Sequence, residues 1–148
     1  MVSPLILGLD ADDTLWENQA RFDTAQAKLR GLLSPWVEGE VVDETLLNIE
    51  RNNVKLYGYG VKSFTLSSIQ AAVELTNGEI TADLTTAIIE SGWWIIEHPV
   101  EILPEVAETL KILSSNYQLL LITKGDPADQ YKKINASGLS HYFRCIEV

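Results

Sequence analysis

Two short apolar runs, each followed at once by polar turn residues, flank a long stretch of helical periodicity. The runs are Leu5 to Leu9 and Leu119 to Ile122, and residues 17–98 between them contain no strand-like alternation. Short apolar runs of this kind are typical of strands buried on both faces of a parallel sheet. We therefore predict an α/β fold, a doubly wound parallel sheet, with an all-helical segment inserted after the first strand.

The predicted division of the chain is an α/β core of residues 1–16 and 99–148 and a helical subdomain of residues 17–98. Turn signals split the insertion into four helices, and Pro104 is expected in the first turn of the helix that follows. A helix between Asp126-Pro127 and Gly138 and a last strand from Phe143 complete the pattern. The insertion leaves the carboxyl end of the first strand, which is where open α/β sheets bind ligands.

Composition excludes several classes of protein. The net charge of −10 over 148 residues argues against a nucleic-acid binder, since the basic clusters that hold phosphate backbones are missing. The apolar runs are too short to span a bilayer. The start has no basic signal-peptide region, and a single cysteine forms no internal disulfide. We expect a cytoplasmic protein that binds neither nucleic acid nor membrane.

Three carboxylates crowd the end of the first strand, at Asp10, Asp12 and Asp13. Carboxylates this close repel one another unless a cation or hydrogen bonds compensate, and Mg²⁺ typically takes one or two carboxylates together with substrate phosphate. The strand end would fix Asp10 for nucleophilic attack on phosphorus. Asp12, two residues further on, is free to act as a general acid and then a general base.

This pattern resembles the first motif of the haloacid dehalogenase superfamily, Asp-x-Asp-x-Thr, here Asp10, Asp12 and Thr14. The resemblance implies that Asp10 is the nucleophile and a magnesium ligand, and that Asp12 binds the metal through its backbone carbonyl and serves as acid and base. The second motif, an apolar strand ending in Ser or Thr, is matched by Leu119 to Thr123, which implies that the Thr123 hydroxyl binds the phosphoryl group. The helical insertion resembles the C1-type cap of that superfamily.

For several polar residues near these motifs, a structural role is an alternative to the functional one. Thr123 could merely end its strand, and Lys124 could be a solvated lysine instead of a ligand of the substrate phosphate. Gly125 permits a tight turn or a close backbone approach. Asp13 and Asp126 are expected to cap helices and not to take part in catalysis.

The remaining chemistry-bearing side chains are expected to have packing roles. We predict hydrophobic packing roles for Trp16, Trp93 and Trp94. Cys145 is predicted to be a small buried residue. His98 and His141 have no partner at a metal-ligand spacing, so neither is predicted to bind a metal.

The superfamily also uses a third-motif lysine and a fourth-motif acidic cluster, and neither is matched here. Lys132 and Lys133 come too early for the third motif and lie on a predicted helix. We therefore expect these residues to be the amino-terminal portion of a longer protein. If they were the whole protein, we would expect weak metal affinity and little or no turnover.

The leading functional hypothesis is a Mg²⁺-dependent phosphatase of a small phosphorylated metabolite, with no prediction of oligomeric state. Asp12 favours phosphate chemistry over dehalogenation or phosphonate hydrolysis, because those relatives lack the second aspartate. A sugar phosphomutase uses the same aspartate pair and stays open, as does a catalytically silent binding module. A signalling receiver domain is disfavoured by the helical insertion and by the lack of a phospho-accepting aspartate after the third strand.

Overall fold

The computed structural model describes residues 5–148, which form two units joined at residues 19–20 and 98–99. The first unit is an α/β unit of residues up to 19 together with 99–148, and the second is a helical unit of residues 20–98. Residues 17–19 thus group with the α/β unit. The elements in chain order are β1 (Ile6–Leu9), α1 (Gln19–Leu33), α2 (Gly39–Tyr57), α3 (Val61–Leu75), α4 (Ala82–Glu97), α5 (Val106–Ser114), β2 (Gln118–Ile122), α6 (Pro127–Ser137) and β3 (Phe143–Glu147).

The α/β unit is built on a parallel sheet of three strands in the order β1-β2-β3. The predicted α/β class and parallel pairing are confirmed. The core of this unit contains Trp16, Leu110, Leu119, Leu121 and Ile134, all at most 2% exposed. Alternate residues of β2 enter this core because successive side chains of a strand point to opposite faces.

The expectation that β1 is buried on both faces is wrong. Leu5 and Ile6 are 70% and 60% exposed, and no residue of β1 itself is classed as buried. The reason is topological, because β1 is an edge of this sheet and pairs with β2 alone among the described strands.

Local capping signals explain where α6 begins and ends. The Asp126 side chain accepts a hydrogen bond from the backbone N–H of Asp129, and Pro127 occupies the first turn. Gly138 ends the helix at φ 68°, a left-handed conformation that glycine adopts without steric cost. The predicted boundaries of α6 are confirmed.

The start of α5 differs from the prediction. Pro104 lies before the helix, which begins at Val106 after Glu105 in a left-handed conformation at φ 63°. A non-glycine residue with positive φ is uncommon, and the pattern of apolar residues does not reveal it.

The helical unit contains α2, α3, α4 and α1 beyond its first residue, so the four predicted helices are all present. Its core includes Leu33, Val42, Leu46 and Ala71, each no more than 1% exposed. Among the described residues, no helix is both long enough and apolar enough to cross a membrane.

An ion pair ties α1 to α2 at the surface of the helical unit. Arg30 Nη1 lies 2.9 and 3.0 Å from the two carboxylate oxygens of Asp43, and Gln26 donates a further hydrogen bond of 2.7 Å to the same carboxylate. Burial acts to raise the pKa of Asp43, but the hydrogen bonds from Gln26 and Arg30 and the charge of Arg30 outweigh it, so the pKa of Asp43 is lowered. At 39% exposure for each side chain, such a pair contributes little stability.

Two glycines in the helical unit differ in what surrounds them, and this difference gives a prediction. A methyl group added at Gly92 of α4 would collide with the Thr65 side chain of α3, whereas one added at Gly31 of α1 meets nothing within 4 Å. We expect Gly92→Ala to destabilise the unit by about 1–3 kcal/mol through overpacking. Gly31→Ala should instead stabilise it by about 0.5–1 kcal/mol, since alanine favours helix.

Urea unfolding of both glycine variants, followed by circular dichroism at 222 nm, measures these effects. Equal shifts of the unfolding midpoint in the same direction would show that close α3–α4 packing at Gly92 has no energetic consequence.

Candidate active site

The carboxyl ends of β1 and β2 bring the two motif segments to one edge of the sheet. Leu9 pairs with Leu121 in the parallel register, so Asp10 is one position beyond this pair and Thr123 is two. Asp10 is exposed, whereas Thr123 is 8% exposed and its backbone N–H donates to the Glu147 carbonyl at 2.9 Å. A carboxylate open to solvent and a shielded hydroxyl thus follow neighbouring strands.

The segment after β1 is folded into a tight loop by its own backbone. The Ala11 carbonyl accepts hydrogen bonds from the N–H groups of Thr14 and Leu15, and the Asp13 N–H donates to the Trp16 carbonyl at 2.8 Å. Asp13 has φ 58°, so the chain reverses there in a left-handed conformation that aspartate tolerates better than most residues. This reversal lets the side chains of Asp12 and Trp16 meet.

Asp12 is held by three side chains of the same unit. Its Oδ1 accepts hydrogen bonds from Trp16 Nε1 and from Lys133 Nζ, each at 2.7 Å. Its Oδ2 accepts from Gln130 Nε2 at 2.8 Å and from Lys133 Nζ at 2.9 Å. Two of these four contacts come from the single Lys133 Nζ, so three donor groups orient the carboxylate.

The partners of Asp12 are more deeply buried than Asp12 itself. The Asp12 side chain is 21% exposed, against 9% for that of Lys133, and the residues Gln130 and Trp16 are 3% and 1% exposed. A buried ammonium group is tolerated only when it is paired and hydrogen-bonded. Lys133 meets this condition, because Asn18 Oδ1 at 3.2 Å and Asp129 Oδ2 at 3.5 Å complete its surroundings.

The sequence analysis missed the contacts of Lys133 and Gln130 with Asp12. Lys133 does lie on a helix, as predicted, but its ammonium group contacts the aspartate predicted to be the acid/base. One signal was available, since Gln130, Lys133, Ile134 and Ser137 form the buried stripe of α6 at helical spacing. Long polar side chains on a buried stripe require polar partners, and the acidic loop after β1 offered them.

The turn after β2 is shaped around Gln130. Gln130 Nε2 donates to the Lys124 carbonyl at 3.1 Å as well as to Asp12. Gly125 lies at φ 144°, and a Cβ there would approach Gln130 Nε2 to 2.8 Å. The close approach that the sequence suggested for Gly125 is therefore made to a side chain of this unit. Lys124 itself is exposed.

Asp13 has the capping role predicted for it. Its Oδ1 accepts hydrogen bonds from the backbone N–H groups of Asn18 and Gln19, both at 2.9 Å, at the first turn of α1. A carboxylate at this position satisfies donors that a helix start leaves open.

The predictions for the other chemistry-bearing residues had mixed outcomes. Trp16 is buried as predicted, whereas Trp93 and Trp94 are 59% and 41% exposed, so their predicted packing role is wrong. Cys145 is exposed and not buried, and it lies on β3, an edge strand of the sheet that the structure describes. Its hydrogen bond to the Glu147 carboxylate raises the pKa of the Cys145 thiol.

The donor set for Mg²⁺ is small within residues 5–148. No group of three or more His, Cys, Asp or Glu side chains there could hold a metal ion. The Asp10 carboxylate and the Asp12 backbone carbonyl fit a hard cation as oxygen ligands, and substrate phosphate and water commonly supply the rest of a Mg²⁺ shell. The Asp12 carboxylate instead accepts hydrogen bonds from Lys133, Gln130 and Trp16.

Comparison with solved structures identifies the family. A haloacid dehalogenase-like family hydrolase from Xanthomonas campestris is 41% identical over 98% of this chain, with a TM-score of 0.91. The chain belongs to the haloacid dehalogenase-like superfamily. No protein-family model and no curated protein matches it.

More distant members of the haloacid dehalogenase-like superfamily share the fold. The hydrolase YfnB from Bacillus subtilis, solved with bound magnesium, is 18% identical over 97% of this chain, with a TM-score of 0.62. A 2-haloacid dehalogenase from Pseudomonas syringae is 24% identical over 98%, with a TM-score of 0.54. The chain spans 61% of the Xanthomonas structure and 64% of each of the other two.

Proposed function

We propose that this protein hydrolyses phosphate esters of small metabolites through an aspartyl-phosphate on Asp10, with Asp12 as general acid and base and Mg²⁺ as cofactor. The observation that carries the proposal is the state of Asp12. It lies two residues after the strand-end aspartate, and its carboxylate is fixed by Lys133, Gln130 and Trp16. A carboxylate oriented by several donors suits a residue that must transfer a proton at a defined position.

The first step is the transfer of the phosphoryl group to the enzyme. An Asp10 carboxylate oxygen attacks phosphorus, the bond between phosphorus and the ester oxygen breaks, and the leaving oxygen takes the proton of protonated Asp12. Exposure of Asp10 at the end of β1 supports this role, since a substrate has access to it. Carboxylate nucleophiles that form acyl phosphates are an established mode of covalent catalysis.

The second step returns the enzyme to its starting state. The oxygen of a water molecule attacks phosphorus, the bond between phosphorus and Asp10 breaks, and Asp12 accepts the proton that the water loses. Phosphate leaves and the Asp10 carboxylate is restored. Mg²⁺ bound by the Asp10 carboxylate and the Asp12 carbonyl would neutralise phosphoryl charge and orient the substrate.

We propose that the two residues that follow β2, Thr123 and Lys124, bind the phosphoryl group. The Thr123 hydroxyl would donate to a phosphoryl oxygen, and burial of that residue supports a stable orientation. Lys124 would add positive charge from the exposed turn that follows. Positioning and charge stabilisation of this kind supply most of the acceleration in phosphoryl transfer.

Asp12 is also what favours a phosphatase over a dehalogenase. The dehalogenases of the superfamily lack an acid/base aspartate two residues after the nucleophile. Here that aspartate is present, and three side chains donate hydrogen bonds to it. The Pseudomonas dehalogenase is similar at 24% identity, and a likeness at that level shows a shared fold alone and not a shared reaction. A sugar phosphomutase would use the same pair and is separated by its product, an isomeric sugar phosphate instead of free phosphate.

A silent binding module is the second candidate, and one observation favours it. The described residues lack a cluster of three metal-binding side chains, so the affinity for Mg²⁺ rests on few protein ligands. A module of this kind would bind phosphorylated ligands without turnover.

Beryllium fluoride, a mimic of the aspartyl-phosphate, distinguishes these candidates. Titration with beryllium fluoride and Mg²⁺, followed by fluorine NMR, should give bound resonances that disappear in Asp10→Asn. A panel of sugar, nucleotide and alkyl phosphates then tests for release of inorganic phosphate. Absence of both bound fluoride and released phosphate from the full-length wild-type protein would refute the phosphatase proposal.

A further inference from the structure

The resemblance of this chain to the superfamily does not explain why Lys133 and Gln130 contact Asp12. Both side chains of α6 reach across more than a hundred residues of sequence to the Asp12 carboxylate, and neither belongs to a motif identified in the sequence. We propose that Lys133 and Gln130 are positioning residues that set the orientation of Asp12 for proton transfer. The catalytic part of this inference rests on the proposed phosphatase function.

The geometry around Lys133 favours positioning over simple charge pairing. One ammonium nitrogen contacts both Asp12 oxygens, at 2.7 and 2.9 Å, which restricts rotation of the carboxylate about its Cβ–Cγ bond. The same nitrogen also contacts Asn18 and Asp129, so the ammonium group cannot move freely with the Asp12 carboxylate. A side chain with 9% exposure has little room to adopt another rotamer.

Gln130 gives independent support through an unusual imbalance in its hydrogen bonds. Its Nε2 donates to two acceptors, Asp12 Oδ2 and the Lys124 carbonyl, so the orientation of the amide is determined by its partners. Its Oε1 is buried and accepts no hydrogen bond within the described part of the chain. A buried polar atom without a partner is unfavourable, so the two donor contacts of this amide, and not its acceptor, account for its orientation.

Trp16 provides a readout of Asp12 that does not depend on catalysis. Its indole Nε1–H donates to Asp12 Oδ1 at 2.7 Å, and the residue is 1% exposed. The chain has four tryptophans, so its ¹H–¹⁵N spectrum contains four indole resonances. The Trp16 resonance, assigned by its loss in Trp16→Phe, reports whether the carboxylate remains in place.

The first experiment records this resonance in Lys133→Met and in Gln130→Met. We expect both variants to shift the Trp16 indole signal and to speed its exchange with solvent, while the other three indole signals stay in place and show that the chain is folded. Lys132→Met is the matched control, because Lys132 is the preceding residue of α6 and is exposed. An unchanged Trp16 signal in folded Lys133→Met and Gln130→Met would overturn the proposal.

The second experiment separates proton transfer from nucleophilic attack by changing the leaving group. Para-nitrophenolate leaves without a proton at neutral pH, whereas an alkoxide requires one. In single-turnover measurements we expect Lys133→Met to slow phosphoryl transfer from an alkyl phosphate about 30-fold or more and from para-nitrophenyl phosphate about threefold or less. Lys133→Arg, which keeps the donor, should recover part of the loss. An equal loss with both esters would overturn the positioning role.

The two experiments fail in distinguishable ways. If the wild-type chain transfers phosphate from neither ester, the proposed function is wrong. The indole signal then still decides whether Lys133 and Gln130 fix Asp12.

Discussion

Asp10→Asn is expected to reduce phosphate-ester hydrolysis on the order of 1,000-fold or more, since removal of a covalent nucleophile eliminates the intermediate. The amide is a weaker nucleophile than the carboxylate, and it provides no negative charge for Mg²⁺. Asp10 is exposed at the end of β1, so the substitution should leave the core of the α/β unit unchanged. Phosphate release under saturating substrate and Mg²⁺ measures the effect.

Asp13→Asn is the matched control for this experiment. It removes the same charge three residues further along the chain, and asparagine tolerates the left-handed conformation at φ 58°. The amide oxygen can still accept the hydrogen bonds from the N–H groups of Asn18 and Gln19. We expect activity within about threefold of wild type, because the loop conformation and these hydrogen bonds are kept. Full activity in Asp10→Asn would exclude the aspartyl-phosphate mechanism.

Leu121→Ala is expected to destabilise the α/β unit by about 3 kcal/mol, the typical cost of a leucine-sized cavity in a packed core. Leu121 lies on β2, the strand between the two others, and is 0% exposed. Its pairing partners Leu9 and Ile146 belong to β1 and β3, so the cavity would affect all three strands.

Ile112→Ala removes an aliphatic side chain of comparable size from the surface of the same unit. Ile112 lies on α5 and is 60% exposed, so the expected change is within about 0.5 kcal/mol. Urea unfolding followed on the Trp16 indole resonance measures both variants, because Trp16 belongs to the same core as Leu121. Similar midpoints for Leu121→Ala and Ile112→Ala would contradict the described packing of β2.

The order of strands and helices could be predicted because the signals for it are local. A helix end depends on a few neighbouring residues, as at Thr81, whose hydroxyl accepts a hydrogen bond from the Leu84 N–H at the start of α4. The same holds for Asp126 and Gly138 around α6. The start of α5 was predicted wrongly because the left-handed Glu105 has no signature in the apolar pattern.

Burial was predicted less well than secondary structure, because it depends on which element covers a given face. Trp93, Trp94 and Cys145 are apolar enough to be buried, yet each is exposed. In α1 the buried residues are Arg21, Ala25, Leu29 and Leu33, whereas Ala20 and Ala27 are exposed although alanine is apolar. A period of 3.6 residues gives the width of a stripe but not the direction in which it faces.

The sequence by itself determined the α/β class, the helical insertion and the strand-end positions of Asp10, Asp12 and Thr123, since each follows from residues adjacent in the chain. Only the tertiary structure decided which side chains hold Asp12. Lys133 and Gln130 are 121 and 118 residues away from it, and they meet it because α6 packs beside the loop that follows β1. A hydrogen bond depends on distances in space to a few tenths of an ångström, and the linear pattern of a chain does not contain those distances.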